Sequence, residues 1–261
     1  FPISEKYFKK YVGGKCLAAR LLLDLTPPGL DPLSPEAVII INTGPLNGTG
    51  APAYLADVAV KDGKIAAVGK LSGEAAETVD AAGLTLAPGF IDVHGHSDFF
   101  MPLDPARASK LLQGVTTELC GQCGLGPAPV TEQNYPVYHK YLSQQGIPMY
   151  PDDRTFTSFS AYLSRMEQTP AGINLAYFIP HGTVRLAVMG FSHDAPDDRQ
   201  LAQMRELVED AMQAGALGLS TGLAYAPGRF AATDELAALT EPVGRYGGVY
   251  TSHLRDQGDQ L

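Results

Sequence analysis

The sequence has 261 residues, with 19 Lys and Arg against 28 Asp and Glu and a formal charge of −9. Its 45% apolar and 18% charged residues are those of a globular chain and exclude a disordered or fibrous one. The acidic balance argues against a nucleic-acid binder, and no apolar run of about 18 residues is present to span a membrane, so neither nucleic acid nor membrane is an expected partner.

The 28 Gly and 20 Pro predict many turns and short loops. Cys16, Cys120 and Cys123 are too few and too unevenly placed for a disulfide framework, which makes a reducing cytoplasm the expected setting. The opening Phe1-Pro2-Ile3-Ser4-Glu5-Lys6 has no Met and no basic-then-apolar leader, and reads as a chain that need not begin where its gene does.

Residues 1–50 form a first block. Tyr7, Phe8, Tyr11, Val12, Leu17, Leu21 and Leu22 recur at helical spacing over residues 4–24; Gly13-Gly14 weakens that helix and Thr26-Pro27-Pro28-Gly29 ends it. A buried strand is expected at 37–41. Residues 51–87 read as a small β domain, in which 57–61 alternates, Asp62-Gly63 is a hairpin turn and 64–68 returns. The third block, 88–261, alternates strands at 89–93, 114–119, 173–179, 217–220 and 249–252 with helices. The clearest helix, about 198–214, puts Leu201, Met204, Leu207, Val208 and Met212 on one face. Another begins near Thr233, with Asp234 and Glu235 favouring its dipole, and Pro242 is expected to interrupt it. Strand–helix alternation implies an α/β fold with a parallel sheet.

The strongest local signal is Phe90-Ile91-Asp92-Val93-His94-Gly95-His96. Side chains alternate along a strand, so His94 and His96 project to one side at its end and form half a metal site; the alternative is a pair of exposed loop histidines. The second signal is 114–124, a strand that ends in Cys120-Gly121-Gln122-Cys123-Gly124. This is a redox pair, half a structural zinc site, two inert thiols, or a single thiolate lent to the histidines. The third is Tyr250-Thr251-Ser252-His253, again a strand ending in His. His181 follows a strand as either a substrate-orienting or a structural residue, while His139 and His193 read as surface residues. The turn-forming loop 218–228 offers Ser220, Thr221 and Tyr225 as substrate contacts, and Arg255 is a further candidate.

Taken together, GTGAPAYLADVAVKDGKIAAVG, APGFIDVHGHSD, GVTTELCGQCG, PHGTVRLAVMG, GALGLSTGLAYAPG and GGVYTSHLRDQGD resemble the N-acyl-D-amino-acid deacylases, or D-aminoacylases, of the amidohydrolase superfamily. The resemblance runs from about residue 48 to the end. It implies a partial (β/α)8 barrel with about five of eight strands, preceded by a small β domain. It also implies a Zn2+ site with His94, His96, Cys123 and His253 as ligands. Gln122 and Ser252 stand where the family usually has Asn and Thr, and Cys120 has no counterpart. The implied reaction is metal-assisted hydrolysis of the amide bond of a small N-acyl-D-amino acid, giving a carboxylate and a D-amino acid. The family's next histidine ligand and its catalytic aspartate are expected beyond residue 261. Each metal is then left with two protein ligands, and residues 1–261 alone are expected to hold little zinc and to show little activity.

The stretch YVGGKCLAARLLLDLTPPGLDPLSPEAVIIINTGPLNGTGAP instead resembles the N-terminal segment of the aldehyde ferredoxin oxidoreductases. No cysteine set for a cluster follows, so no site residue or tungsten cofactor is carried over. GTGAP at 48–52 fits both families, which suggests a chimeric reading frame joined there. The competing readings are an inactive truncated or chimeric product, a hydrolase of cyclic amides, and a tungstopterin oxidoreductase fragment. The lack of Lys at 217–220 and the presence of Cys123 weigh against the cyclic-amide reading.

Overall fold

A computed structural model of the chain describes residues 52, 54–100, 108–147, 156–169 and 171–258, with the backbone of two strands nearer the start. In chain order these are β1 (Ala18–Ala19), β2 (Val38–Thr43), β3 (Ala56–Lys61), β4 (Lys64–Gly69), β5 (Glu77–Asp80), β6 (Ala87–Pro88), β7 (Phe90–Asp92), α1 (Ala108–Leu111), β8 (Val115–Cys120), α2 (Tyr135–Gln144), α3 (Phe159–Gln168), β9 (Asn174–Tyr177), β10 (Ile179–Pro180), α4 (His181–Met189), α5 (Asp198–Gln213), β11 (Gly218–Gly222), α6 (Thr233–Arg245) and β12 (Val249–His253). The chain divides into two compact units, Phe1–Ile91 with Ala108–Thr117 and Asp92–Arg107 with Glu118–Leu261.

The first unit holds a four-stranded sheet in the order β4-β3-β2-β5. Its β3–β4 hairpin turns at Asp62-Gly63, both left-handed at φ 53° and 74°, the conformation a two-residue turn needs and Gly supplies freely. Strand β2, which lies within the block 1–50, sits between β3 and β5 in this sheet. Val58, Ala81 and Leu86 form the small buried core. The helical spacing at 4–24 falls outside the described residues except at Ala18–Ala19, where the backbone is a strand paired with β6. There, pairing with a distant segment overrides alanine's local helical preference.

In the second unit, β10, β11 and β12 form a parallel sheet in that order, and Gly222 registers against His253. Strands β7, β8 and β9 order in that sequence as a further sheet. The strand expected at 173–179 is split. Phe178 still donates its amide to the Cys120 carbonyl of β8 at 2.9 Å, and from Ile179 the chain pairs with β11 instead, so β9 ends and β10 begins.

Helix α5 starts at a capping box: Asp197 accepts from the Gln200 amide at 2.7 Å, and the Gln200 side chain accepts from the Asp197 amide at 2.9 Å. Its Met204, Val208, Ala211 and Met212 are buried against Leu219 of β11 and Leu239 and Val243 of α6, while Leu201 and Leu207 are only partly covered. Pro242 does not interrupt α6, which continues to Arg245. The proline forfeits one backbone hydrogen bond a single turn from the helix end, and the burial of Leu239, Pro242 and Val243 holds that turn in place. Among the described residues no helix is long and apolar enough to cross a membrane.

Met204 is wholly buried at the centre of this cluster. Met204→Ala is expected to destabilise the protein by about 2–5 kcal/mol in urea unfolding, through lost burial and the cavity left behind.

Candidate metal centre

The histidine pair sits in a turn whose shape is set by neighbouring carboxylates. Asp92 accepts from the His94 amide at 3.1 Å, and the Gly95 amide donates to the Leu119 carbonyl at 3.0 Å. A Cβ at residue 95 would fall 1.8 Å from Glu118 Oε1, so a side chain there would displace the Glu118 carboxylate. That close approach lets buried Glu118 accept from the Ser97 amide at 3.2 Å and the Ser97 hydroxyl at 2.6 Å. Asp98 accepts from the Gly121 amide at 3.1 Å, which ties the histidine turn to the cysteine turn. Burial pushes the Asp98 carboxyl up to about 7, against the lowering effect of the Gly121 amide.

The turn after β8 is more constrained still. Gly121, Cys123 and Gly124 have φ values of 74°, 56° and 66°, and for cysteine that left-handed backbone is uncommon and strained. A Cβ at Gly222 would fall 1.9 Å from the Cys123 carbonyl oxygen, so β11 passes directly against the turn. Burial also raises the Cys123 thiol, which keeps its proton unless a cation favours the thiolate.

These turns bring His94, His96 and Cys123 together, with one ligand atom of each lying within 4.8 Å of the others. His94 Nε2 is 3.2 Å from Cys123 Sγ. The rings of His94 and His96 meet edge to face, 5.6 Å apart between centroids. His94 is exposed, His96 half-buried and Cys123 buried, so the cluster is open on its histidine side. His253 approaches the same sulfur from β12, with Nδ1 at 3.7 Å. Two ligands on a tetrahedral zinc, one N and one S, stand about 3.5 Å apart, and both contacts match that separation. Two imidazoles and a thiolate, with a further imidazole beside the sulfur, therefore fit a borderline-soft divalent ion. Tyr225 packs against His253 with the rings tilted by 60° and 4.7 Å between centroids, its hydroxyl 3.4 Å from Nδ1.

The other expected substrate contacts lie elsewhere. Ser220 is fully buried, and its hydroxyl donates to the Gly121 carbonyl and accepts from the Gly124 amide at 3.2 Å, bracing the cysteine turn instead of facing open space. Arg255 donates to the Arg229 carbonyl and, at 2.8 Å, to the Ala231 carbonyl, so its guanidinium clamps a loop. Cys120 is fully buried in the apolar core, apart from the role of its neighbour Cys123. His181 is wholly buried, with Nε2 2.8 Å from Glu235 Oε1. Glu235 also accepts from Arg185, whose guanidinium reaches the Asp194 carbonyl at 2.6 Å.

Spacing in the sequence does not reveal the roles of Glu118 and Glu235. The available signal was acidic residues in segments that must be buried, where a charge requires a partner. Burial raises the Glu235 carboxyl, but the hydrogen bond and charge of His181, together with Arg185, outweigh it and leave the group below its ordinary 4.5. A depressed carboxyl stabilises the fold above its unfolded value and loses that contribution as the pH falls through the folded one. Glu235→Gln is expected to cost about 3–5 kcal/mol at neutral pH by leaving Arg185 uncompensated. The gap from wild type should narrow below pH 4.5 in urea titrations across pH.

Two family models match the chain: Amidohydrolase family over residues 77–248 and Aldehyde ferredoxin oxidoreductase, N-terminal domain, over residues 1–83. The chain is 39% identical to a D-aminoacylase from Alcaligenes xylosoxydans xylosoxydans, over 83% of its own length and 44% of that protein's. It is 38% identical to an N-acyl-D-aspartate deacylase from the same organism, over 85% and 44%. Among solved structures it is similar to the N-acyl-D-glutamate deacylase of Bordetella bronchiseptica complexed with zinc and a phosphonate inhibitor, with TM-score 0.76 and 35% identity over 85% of this chain and 46% of that one. The chain thus spans less than half the length of the relatives it matches.

Proposed function

The chain belongs to the amidohydrolase family, and from that premise we propose that it carries the metal-holding part of an N-acyl-D-amino-acid deacylase, on strands β7 to β12 of a (β/α)8-type barrel. The observation that carries this reading is the gathering of His94, His96 and Cys123 donor atoms within 4.8 Å. Similarity to three deacylases of N-acyl-D-amino acids supports the substrate class, and the zinc complex of one of them supports the metal. We also read residues 1–50 as a segment of separate origin joined near 48–52, a reading that the oxidoreductase family match supports.

His94, His96 and Cys123 would hold the ion, with His253 Nδ1 3.7 Å from the same sulfur. A divalent ion supplies Lewis-acid polarisation of an amide carbonyl and acidification of water. The family resemblance implies two protein ligands for each metal, whereas His94, His96 and Cys123 bring three donor atoms within 4.8 Å of one another. The open histidine side is where an acyl group would approach. Tyr225 offers a half-buried hydroxyl and ring beside His253, suited to orienting the substrate. Asp92 holds the His94 amide in the turn and Asp98 is wholly buried, so neither is assigned as the general base.

Zinc-loaded protein is expected to hydrolyse N-acetyl-D-methionine in preference to the L enantiomer, slowly, and to lose that activity on chelation. Cys123→Ser should lower zinc content in equilibrium dialysis. Full zinc retention by that variant, or equal turnover of both enantiomers, would overturn the reading.

A further inference from the structure

Gln122 precedes Cys123 and is 1% exposed, with both ends of its side-chain amide engaged. Its Nε2 donates to the Val93 carbonyl at 3.0 Å, and its Oε1 accepts from the Thr251 hydroxyl at 3.0 Å. The orientation follows from chemistry, because a backbone carbonyl only accepts and the group facing it must carry the protons. Val93 is the residue before His94, and Thr251 lies two before His253. One buried side chain therefore joins the ends of three segments, each of which delivers a donor to the cluster. On β12, Thr251 registers against Ser220 of β11, and Ser220 itself bonds Gly121 and Gly124 on either side of Gln122 and Cys123. The bridge is thus closed through two independent routes.

We propose that Gln122 is a positioning residue that sets the separation between His94, Cys123 and His253, and so the tightness with which they grip a divalent ion. The inference rests on the metal reading above. Ligand-orienting hydrogen bonds of this kind act on affinity, because each donor that drifts must be re-ordered when the ion binds. Leucine at 122 keeps the approximate bulk and removes both hydrogen bonds. Asparagine is one methylene shorter and can keep only one of them. Valine at 251 deletes the hydroxyl and leaves Gln122 in place.

The test is cobalt titration of the wild-type chain and of Gln122→Leu, Gln122→Asn and Thr251→Val. Kd is read by chelator competition, ligation of Cys123 by the thiolate-to-cobalt absorption, and folding by the Tm of the metal-free proteins. Gln122→Leu should weaken cobalt binding about 10–100-fold and displace the thiolate band. Gln122→Asn and Thr251→Val should fall between it and wild type, with the metal-free Tm of Thr251→Val close to wild type. Variants with the wild-type Kd and spectrum would overturn the positioning role while leaving the metal reading intact. If Gln122→Leu fails to fold, Thr251→Val decides the question on the same two readouts. A wild-type chain without a thiolate-to-cobalt band would overturn the metal reading itself, and the role of Gln122 with it.

Discussion

Cys123 sits in a left-handed backbone inside a turn held on both sides, and that turn places its sulfur beside His94 and His253. Such a conformation costs on the order of 1–3 kcal/mol for a residue with a side chain and persists only where the surroundings over-determine it. Here they do. The Ser220 hydroxyl bonds the turn on both sides of the cysteine, Asp98 takes the Gly121 amide, and β11 lies so close that Gly222 admits no Cβ. The backbone fixes the direction of the Cys123 Cβ, and with it the region the sulfur can reach.

The same logic extends outward from the turn. The second unit buries several polar and charged side chains, among them Glu118, Asp98, Gln122, His181, Arg185 and Glu235. Buried polar groups are tolerated when they are hydrogen-bonded, and a network of them specifies one arrangement more sharply than apolar packing does. Glu118 and Asp98 fix the histidine turn, whereas His181, Glu235 and Arg185 join the starts of α4 and α6 to the loop at 192–194. The apolar cluster around Met204 and Val208 supplies the bulk of the burial on which this polar layer rests.

Periodicity carried most of the second unit. The strands at 114–119, 217–220 and 249–252 and the helix at 198–214 were legible because alternation and a one-sided apolar stripe are local properties. What was not legible depends on distant partners. The strand at 173–179 breaks at Phe178, where the chain stops pairing with β8 and takes β11 as its neighbour. Glu235 looked like a dipole residue in a first turn, and only the fold brings His181 and Arg185 to it. Pro242 looked like a stop, yet burial keeps the last turn helical. Ser220 and Arg255 carried plausible chemistry for a ligand, but spacing cannot show that nearby backbone groups had already claimed them.

The left-handed cysteine has one more consequence. Asparagine and aspartate visit that backbone region more readily than other residues with side chains. An aspartate at position 123 would thus suit the local conformation at least as well as the thiol, while exchanging a soft sulfur for a hard oxygen. Oxygen donors suit magnesium and manganese, whereas thiolates select zinc and its softer neighbours. Under the proposed metal reading, the two imidazoles would remain beside that oxygen, and a two-histidine, one-carboxylate set is the one that suits iron(II), so the same turn would present a different donor set to a different ion.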